Sequence, residues 1–531
     1  MRNAARERSL RWMAWIVGTA LCLSQFVSTR SFWVDELAVV RNLVDRRFGE
    51  LVSQPLDYDQ VAPVGFLTIE KAVVAAFGPT EFALRAYPFA MALVALALVG
   101  GLGRVVVGGW ASAIPVLLLG SSAQMIWLST QVKQYSTDAA VTAALLLVGV
   151  TVPTWRERAR WRRSVLLLGV VGSWLSQPAV FSLAAVALAL VVDDWRRARR
   201  LSPFTLGVAF TWGLSGIASL VSARARVAPE TMEFMRRYWH AGFAPIPPTS
   251  WDDWKWPIYT LRMLVRAAVN GGWSYAYLGV AVLGGWVLWR RSRVTAVVLL
   301  FPLGAAFVAA AARQYPLSGR LAFFLSPLVA TLLGAGIDGM VRWWRAPRVA
   351  RVALGVLLVV PPLGMLAWRP PPYTTQHVRP LLETLRANIR PGDRVYVPYG
   401  GWQAWSHYAP AMGITADVVI GTCHGIAFDG YAREVERLHG ATRAWILFIP
   451  AGKLQRADDI LRIADRLGTR RGSWVQGGRD ARGVVREISL SLYDMTPVAG
   501  GPDSSFHDVP SPPADECRGA AVNRRLPRSL P

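Results

Sequence analysis

A chain of 531 residues that is 53% hydrophobic, with a mean hydropathy of +0.31, is too apolar for an ordinary soluble enzyme and reads as a polytopic membrane protein. The formal net charge of +24 does not imply a nucleic-acid partner, because the arginines cluster in short loops between apolar segments, where they set orientation and meet anionic lipid headgroups. None of the three cysteines, Cys22, Cys423 and Cys517, lies in a CxxC pair, which argues against a structural zinc site. Cys423 and Cys517 can form a disulfide if both face an oxidising compartment, and unpaired thiols are the equal alternative.

The first apolar run, Leu10 to Ser28, follows Arg2, Arg6, Arg8 and Arg11. Its length and the many later spans favour an uncleaved anchor over a signal peptide. Further apolar runs lie near 84–103, 110–128, 137–153, 164–175, 179–192, 204–222, 273–289, 294–312, 320–341 and 348–368. Arginine clusters at 156–163, 196–200, 290–293 and 342–351 mark the cytoplasmic loops. Threading the runs between them predicts about eleven transmembrane helices, with the N-terminus inside and the C-terminus outside. The runs at 164–175 and 179–192 are short and are broken at Gln177-Pro178. Val64 to Phe77 is apolar but carries Glu70-Lys71 at its middle, and it reads as an amphipathic helix on the outer surface. The outer loops then run from about 30 to 83, rich in acids, and from about 223 to 272, dense in Trp, Tyr and Pro. Aromatics of the second loop suit the membrane interface and also stack on sugar faces.

Beyond Trp368 the composition changes. Helical patterns at "HVRPLLETLRANI", "DGYAREVERL" and "LQRADDILRIADRL" alternate with strands at "RVYVPYG", "RAWILFIP" and "VVREISLSLYDM". That alternation predicts a small extracytoplasmic α/β domain over 371–495, following a membrane domain over 1–370. Gly400-Gly401 follows a strand, but the GxGxxG that would bind a dinucleotide is absent. The Pro-, Ser-, Gly- and Arg-rich tail, 496–531, reads as disordered.

Three clusters of polar residues fall on the outer side. The first is Asp35-Glu36, just beyond the first span. It has two readings: Asp35 caps the following helix with Glu36 at its positive end, or one acid does chemistry. That helix is amphipathic, with Leu37, Val40, Leu43, Val44 and Phe48 on one face and Arg41, Asn42 and Asp45 off it. Adjacent residues point about 100° apart on a helix, so the pair cannot grip one small ligand together. The second cluster is Gln131 to Asp138, where Lys133 and Tyr135 either snorkel at the membrane edge or hold a phosphate. The third is Arg313 to Arg320, either an ordinary loop or the place where Tyr315 and Arg320 close the same phosphate pocket, with Arg85 a further candidate. Asp59, Gln60, Trp239 and His240 are candidates for the acceptor or sugar side. A divalent metal ion is a candidate cofactor at Asp35 or Asp59, although no ligand set is spelled out. Carboxylates and cations at headgroup level suit transfer from a lipid-linked phosphate: the leaving phosphate needs positive charge and the acceptor hydroxyl needs a base.

In order along the first 370 residues, "SFWVDE", "QVAPVGFLTIEKAVVAAFGPTEFALRAYP", "STQVKQYSTDAA" and "YPLSGRLAFFLSP" make the chain resemble the GT-C-type membrane glycosyltransferases, the group of the protein O-mannosyltransferases and the lipid A aminoarabinose transferase. The resemblance implies a GT-C fold, a polyprenyl-phosphate sugar donor and inverting transfer to a protein, lipid or glycan acceptor on the outer face of a bacterial plasma membrane. It implies Asp35 as the catalytic carboxylate, and Lys133, Tyr135 and Arg320 as holders of the donor phosphate. The sequence departs from the family where "QVAPVG" lacks a second proline and a histidine, and where Lys133 stands near the family's usual arginine. A transporter or flippase is the alternative; it calls for ionisable residues in mid-span, whereas the acids here concentrate in outer loops. A non-catalytic envelope-assembly scaffold is the third reading.

Overall fold

The computed structural model describes residues 2–344, 347–424, 428–450 and 457–496. The tail assigned to disorder and the pairing of Cys423 with Cys517 lie outside the described residues. Helices run along the membrane part in the order α1 (Arg2–Phe26), α2 (Val34–Asp45), α3 (Phe48–Ser53), α4 (Val64–Phe77), α5 (Glu81–Leu102), α6 (Ile114–Gly120), α7 (Ala123–Leu128), α8 (Tyr135–Val150) and α9 (Val152–Trp155). They continue as α10 (Ala159–Leu175), α11 (Ala179–Ala198), α12 (Pro203–Ala225), α13 (Pro229–Tyr238), α14 (Trp251–Ala268), α15 (Ser274–Arg291), α16 (Arg293–Ala311), α17 (Ser326–Trp343) and α18 (Arg348–Trp368).

Among the described residues, five helical stretches are long and apolar enough to cross a membrane: Glu81–Val107, Pro203–Ala225, Arg293–Ala311, Gly319–Trp343 and Val349–Trp368. The chain is a multi-pass membrane protein, mostly helical, with a small sheet domain at its C-terminal side. α17 is the central post. Nearly every residue along it is buried, whereas α12 and α18 show apolar side chains such as Phe210, Leu214, Val349 and Val356 outward, as lipid-facing helices do. At one end of α17, the buried Asp338 pairs with Arg291 (2.8 Å) and Arg342 (2.8 Å), so two of the arginine-rich loops gather on a single acid. Arg156 likewise pairs with Asp193 (3.1 Å) and with Asp194.

Two expected elements differ. The run 110–128 is not one helix: it breaks between α6 and α7, where the Ser122 side chain caps α7 by accepting from Met125 N (3.0 Å). α4 does not present its polar middle outward. Glu70 is fully buried, and Lys71 donates to the carbonyls of Leu43 (2.6 Å) and Arg46 (2.7 Å) at the end of α2. These bonds satisfy two of the carbonyls that a helix C-terminus leaves open. The break at Gln177-Pro178 lies where expected, between α10 and α11.

The C-terminal domain carries α19 (Arg379–Asn388), β1 (Arg394–Val397), α20 (Trp402–Ala411), β2 (Asp417–Ile420), α21 (Phe428–Glu436), β3 (Ala444–Phe448), α22 (Ala457–Leu467), β4 (Thr469–Arg479) and β5 (Val485–Asp494). The sheet order is β2-β1-β3-β5-β4. β1 lies parallel to β2 and β3, and β5 runs antiparallel to both β3 and β4. Tyr396, Ile446 and Phe448 face α21 and α22 across one apolar cluster. The opposite side of the sheet, through Val395, Val397, Trp445 and Leu447, shares a cluster with α19 and α20 and with Phe32, Leu37, Val40 and Leu43 of the α2 region. The apolar face of α2 is therefore covered by the sheet domain.

Candidate active site

The segment that carries both acids is built by Glu36. Trp33, not Asp35, stands at the N-cap of α2. Glu36 sits at the third helical position, where its Oε2 accepts from Trp33 N (3.4 Å). It also takes Arg85 on both oxygens, from Nε to Oε1 (3.1 Å) and from Nη2 to Oε2 (2.7 Å), and Oε1 accepts from Val132 N (3.2 Å). Arg85 spends its remaining capacity on the carbonyls of Arg30 (2.6 Å) and Ser31 (3.2 Å). Both side chains are buried, and this pair locks the first outer loop to α5 and to the turn before α8. Arg85 thus holds Glu36, and each of its three nitrogens already donates to a protein acceptor.

Freed from capping, Asp35 points the other way. Its Oδ1 meets Lys133 Nζ (3.2 Å) and its Oδ2 meets Arg320 Nη1 (2.8 Å). Lys133 also donates to Gln60 Oε1. Burial raises the cost of charge on Asp35, but Arg320 and then Lys133 outweigh it and hold the carboxyl below its ordinary value. Burial also lowers the affinity of Lys133 for its proton, against the pull of Asp35. Three rings surround the Arg320 guanidinium: Trp33 (5.4 Å), Trp239 (5.7 Å) and Tyr135 (5.8 Å). Two buried N–H donors here, Arg320 Nε and Trp33 Nε1, have no acceptor among the described residues, and Asp35 Oδ2, although 2.8 Å from Arg320 Nη1, accepts no hydrogen bond among them. A site with spare buried donors and two cations is chemically ready for an anion.

Each member is delivered by a different element. Arg320 stands in the tight turn Gly319–Leu325 that leads into α17, and Gly319 adopts φ +52° against the Trp239 ring, a backbone conformation that favours glycine. The second outer loop is fixed to this turn by Leu317 N donating to Gly242 O (2.8 Å), which brings Trp239 over Arg320. Lys133 lies in the break between α7 and α8. Gln60 follows Tyr58 and Asp59, both left-handed at φ +64° and +52°. This turn is stapled to α2 by Asn42, whose side chain accepts from Asp57 N (2.9 Å) and donates to Asp57 O (3.1 Å). The staple explains why Asn42 is buried rather than off the apolar face. Phe48, expected on that face, is exposed because the helix stops at Asp45 and α3 starts anew, and Val44, in the last turn of α2, is exposed as well.

The other candidates stand apart from this cluster or at its edge. Tyr315 donates to Leu321 O (2.8 Å) and packs among Phe181 and Phe324, so it shapes the turn that bears Arg320. Asp59 accepts from Thr231 Oγ1 of α13 (2.8 Å), and burial raises its carboxyl above the ordinary value. His240 is exposed, with its Nδ1 on Arg237 O (2.9 Å). No group of three His, Cys, Asp or Glu side chains that could hold a metal ion occurs among the described residues. The oxygens of Asp35 are each already paired with a cation, and one oxygen of Asp59 is taken by Thr231. Among the described residues no ligand set for a divalent ion is assembled around Asp35 or Asp59.

No protein-family model matches the sequence, and no curated protein does. Among solved structures, ArnT from Cupriavidus metallidurans bound to undecaprenyl phosphate aligns with a TM-score of 0.49 at 14% identity, covering 91% of this chain and 97% of that one. The apo form of that protein aligns at 0.48 and 12%. The Archaeoglobus fulgidus oligosaccharyltransferase in complex with Zn and sulfate aligns at 0.46 and 12%, covering 92% of this chain and 73% of that one.

Proposed function

We propose that the protein is a glycosyltransferase that moves a sugar from a polyprenyl-phosphate donor to an acceptor at the outer face of a bacterial plasma membrane, with inversion at the sugar carbon. The observation that carries this reading is the Asp35–Lys133–Arg320 cluster with its spare donors. Lys133 and Arg320, with Tyr135 beside them, bind the donor phosphate and neutralise the charge it gains as the bond to the sugar breaks. Asp35, held ionised, takes the proton of the acceptor hydroxyl as that oxygen attacks the face of the sugar opposite the phosphate. Asp59 and Gln60 on one side, and Trp239 and His240 on the other, line the acceptor and sugar side. The sheet domain lies outside the membrane with the site, and the arginine loops around Asp338 lie inside. The ordered motifs shared with the GT-C-type enzymes support the same reaction class.

The test is reconstitution of the full chain in lipid vesicles with a panel of polyprenyl-phosphate sugars. Transfer of the sugar that is lost in Asp35→Asn supports the reading. Retained transfer in that variant removes Asp35 from the mechanism, and movement of an unchanged lipid or solute across the vesicle replaces the enzyme with a transporter.

A further inference from the structure

The segment leading into α2 depends on the far end of the chain. Ser31 N donates to His377 Nδ1 (3.0 Å), Phe32 N to Tyr408 Oη (2.7 Å) and Val34 N to Gln376 Oε1 (3.0 Å). The partners are separated in sequence by 346, 376 and 342 residues. Trp33 N is the one amide of the four taken locally, by Glu36. Amides before and within the first turn of a helix have no intrahelical acceptor, and water would satisfy them at an exposed site. Here three side chains of the C-terminal domain do so instead. They are themselves tied down. Gln376, at φ +55°, donates its Nε2 to Pro450 O (2.8 Å) just beyond β3. Tyr408 donates to Glu81 Oε1 (2.8 Å), which also pairs with Arg379. Ser31 Oγ contacts His377 Nδ1 (2.9 Å) and accepts from Arg379 N (3.0 Å).

We infer that Gln376, His377 and Tyr408 are positioning residues for Asp35, and that the α/β domain is a working part of the active centre. The inference rests on the glycosyl-transfer reading above. Asp35 follows Val34 directly, and its carboxylate meets Lys133 and Arg320 from two other elements only if the backbone at 31–34 is fixed. Reacting groups held on a rigid shell lose about a hundredfold in rate when displaced by about 1 Å. The charged groups for the anion, Lys133 and Arg320, belong to α8's lead-in and the turn before α17, which the three bonds do not touch; of the spare donors, only Trp33 Nε1 rides on the clamped segment. Loosening the clamp therefore slows turnover far more than it weakens phosphate binding.

The test uses the full chain in nanodiscs with two readouts. In hydrogen exchange, the amides of 31–34 exchange about tenfold or more faster in Gln376→Ala and Tyr408→Phe than in the wild type. In the transfer assay, kcat of both variants falls about tenfold to a hundredfold while undecaprenyl-phosphate binding stays within about twofold. His377→Asn, whose Oδ1 replaces Nδ1 as acceptor, keeps wild-type turnover where His377→Ala does not. Unchanged exchange overturns the clamp. Faster exchange with unchanged kcat, or with an equal loss of phosphate binding, overturns the positioning role. A wild type that exchanges slowly at 31–34 yet transfers no sugar defeats the function reading and the positioning role, and leaves the clamp standing as architecture.

Discussion

Asp35 and Glu36 are neighbours in sequence and opposites in chemistry. Around Glu36 the account is closed: both oxygens and every nitrogen of Arg85 are met by protein groups. Around Asp35 it is open: a single carboxylate faces two cations, and Arg320 Nε and Trp33 Nε1 lack acceptors among the described residues. A saturated buried ion pair fixes a fold, because removing either partner strands the other charge. An unsaturated one leaves capacity for a ligand. Burial runs the same way, with Glu36 buried and Asp35 only half-buried.

The largest expected effect comes from Asp35→Asn, which should lower sugar transfer by about 10²–10⁴-fold without weakening undecaprenyl-phosphate binding, measured by isothermal titration; weaker binding would make Asp35 part of the phosphate site. Its counterpart is Arg85→Met, expected to cost about 3–5 kcal/mol of stability and to appear as poor accumulation and a lowered melting temperature in detergent; a stable, inactive protein would blur the contrast. Next, Arg320→Gln should raise the donor KM about tenfold to a hundredfold, the worth of a charge-assisted contact. The pH profile sharpens the comparison further. Because Arg320 and Lys133 hold Asp35 below the usual carboxylate range, the acid limb of kcat/KM should lie below about pH 4, and Lys133→Gln should move it upward, so that activity fades earlier as pH falls. The smallest effect is at Glu70. Burial without a partner raises its carboxyl well above the ordinary value. The folded state then holds a proton that the unfolded state has released, so stability declines as pH rises through the interval between the two values. Glu70→Gln should therefore raise the melting temperature at pH 8 more than at pH 5.

The sequence made the helical membrane part legible because apolar length is a local signal. A helix occupies each expected run, with 110–128 interrupted. It also placed Asp35, Lys133 and Arg320 on one side, and the structure brings these three together although 98 residues separate Asp35 from Lys133. Other features depend on contacts that no local pattern encodes. Strands β2 and β4 carry no strand signal: β2 is four residues long with a half-exposed pattern, and β4 is rich in Gly and Arg, so neither shows the apolar alternation that marks a strand. α20 is masked in the sequence by Gly400-Gly401, which suits a turn, and by Pro410, a helix breaker. The pattern places Glu70 outward because a charged residue in an apolar helix normally seeks water, and the packing of α2, α5 and α10 on α4 overrides that preference. The dependence of residues 31–34 on Gln376, His377 and Tyr408 left no trace in the sequence, since a backbone amide carries no residue-type signature.

The post on which Arg320 stands has one further property. At Gly284 on α15 a methyl group would collide with the carbonyl of Leu332, and at Gly336 on α17 one would collide with the carbonyl of Val280. The two backbones touch because both side chains are missing, as small residues permit between membrane helices. α15 and α17 thus pack backbone to backbone. The turn that carries the Arg320 guanidinium therefore leads into a helix whose backbone lies directly against that of its neighbour.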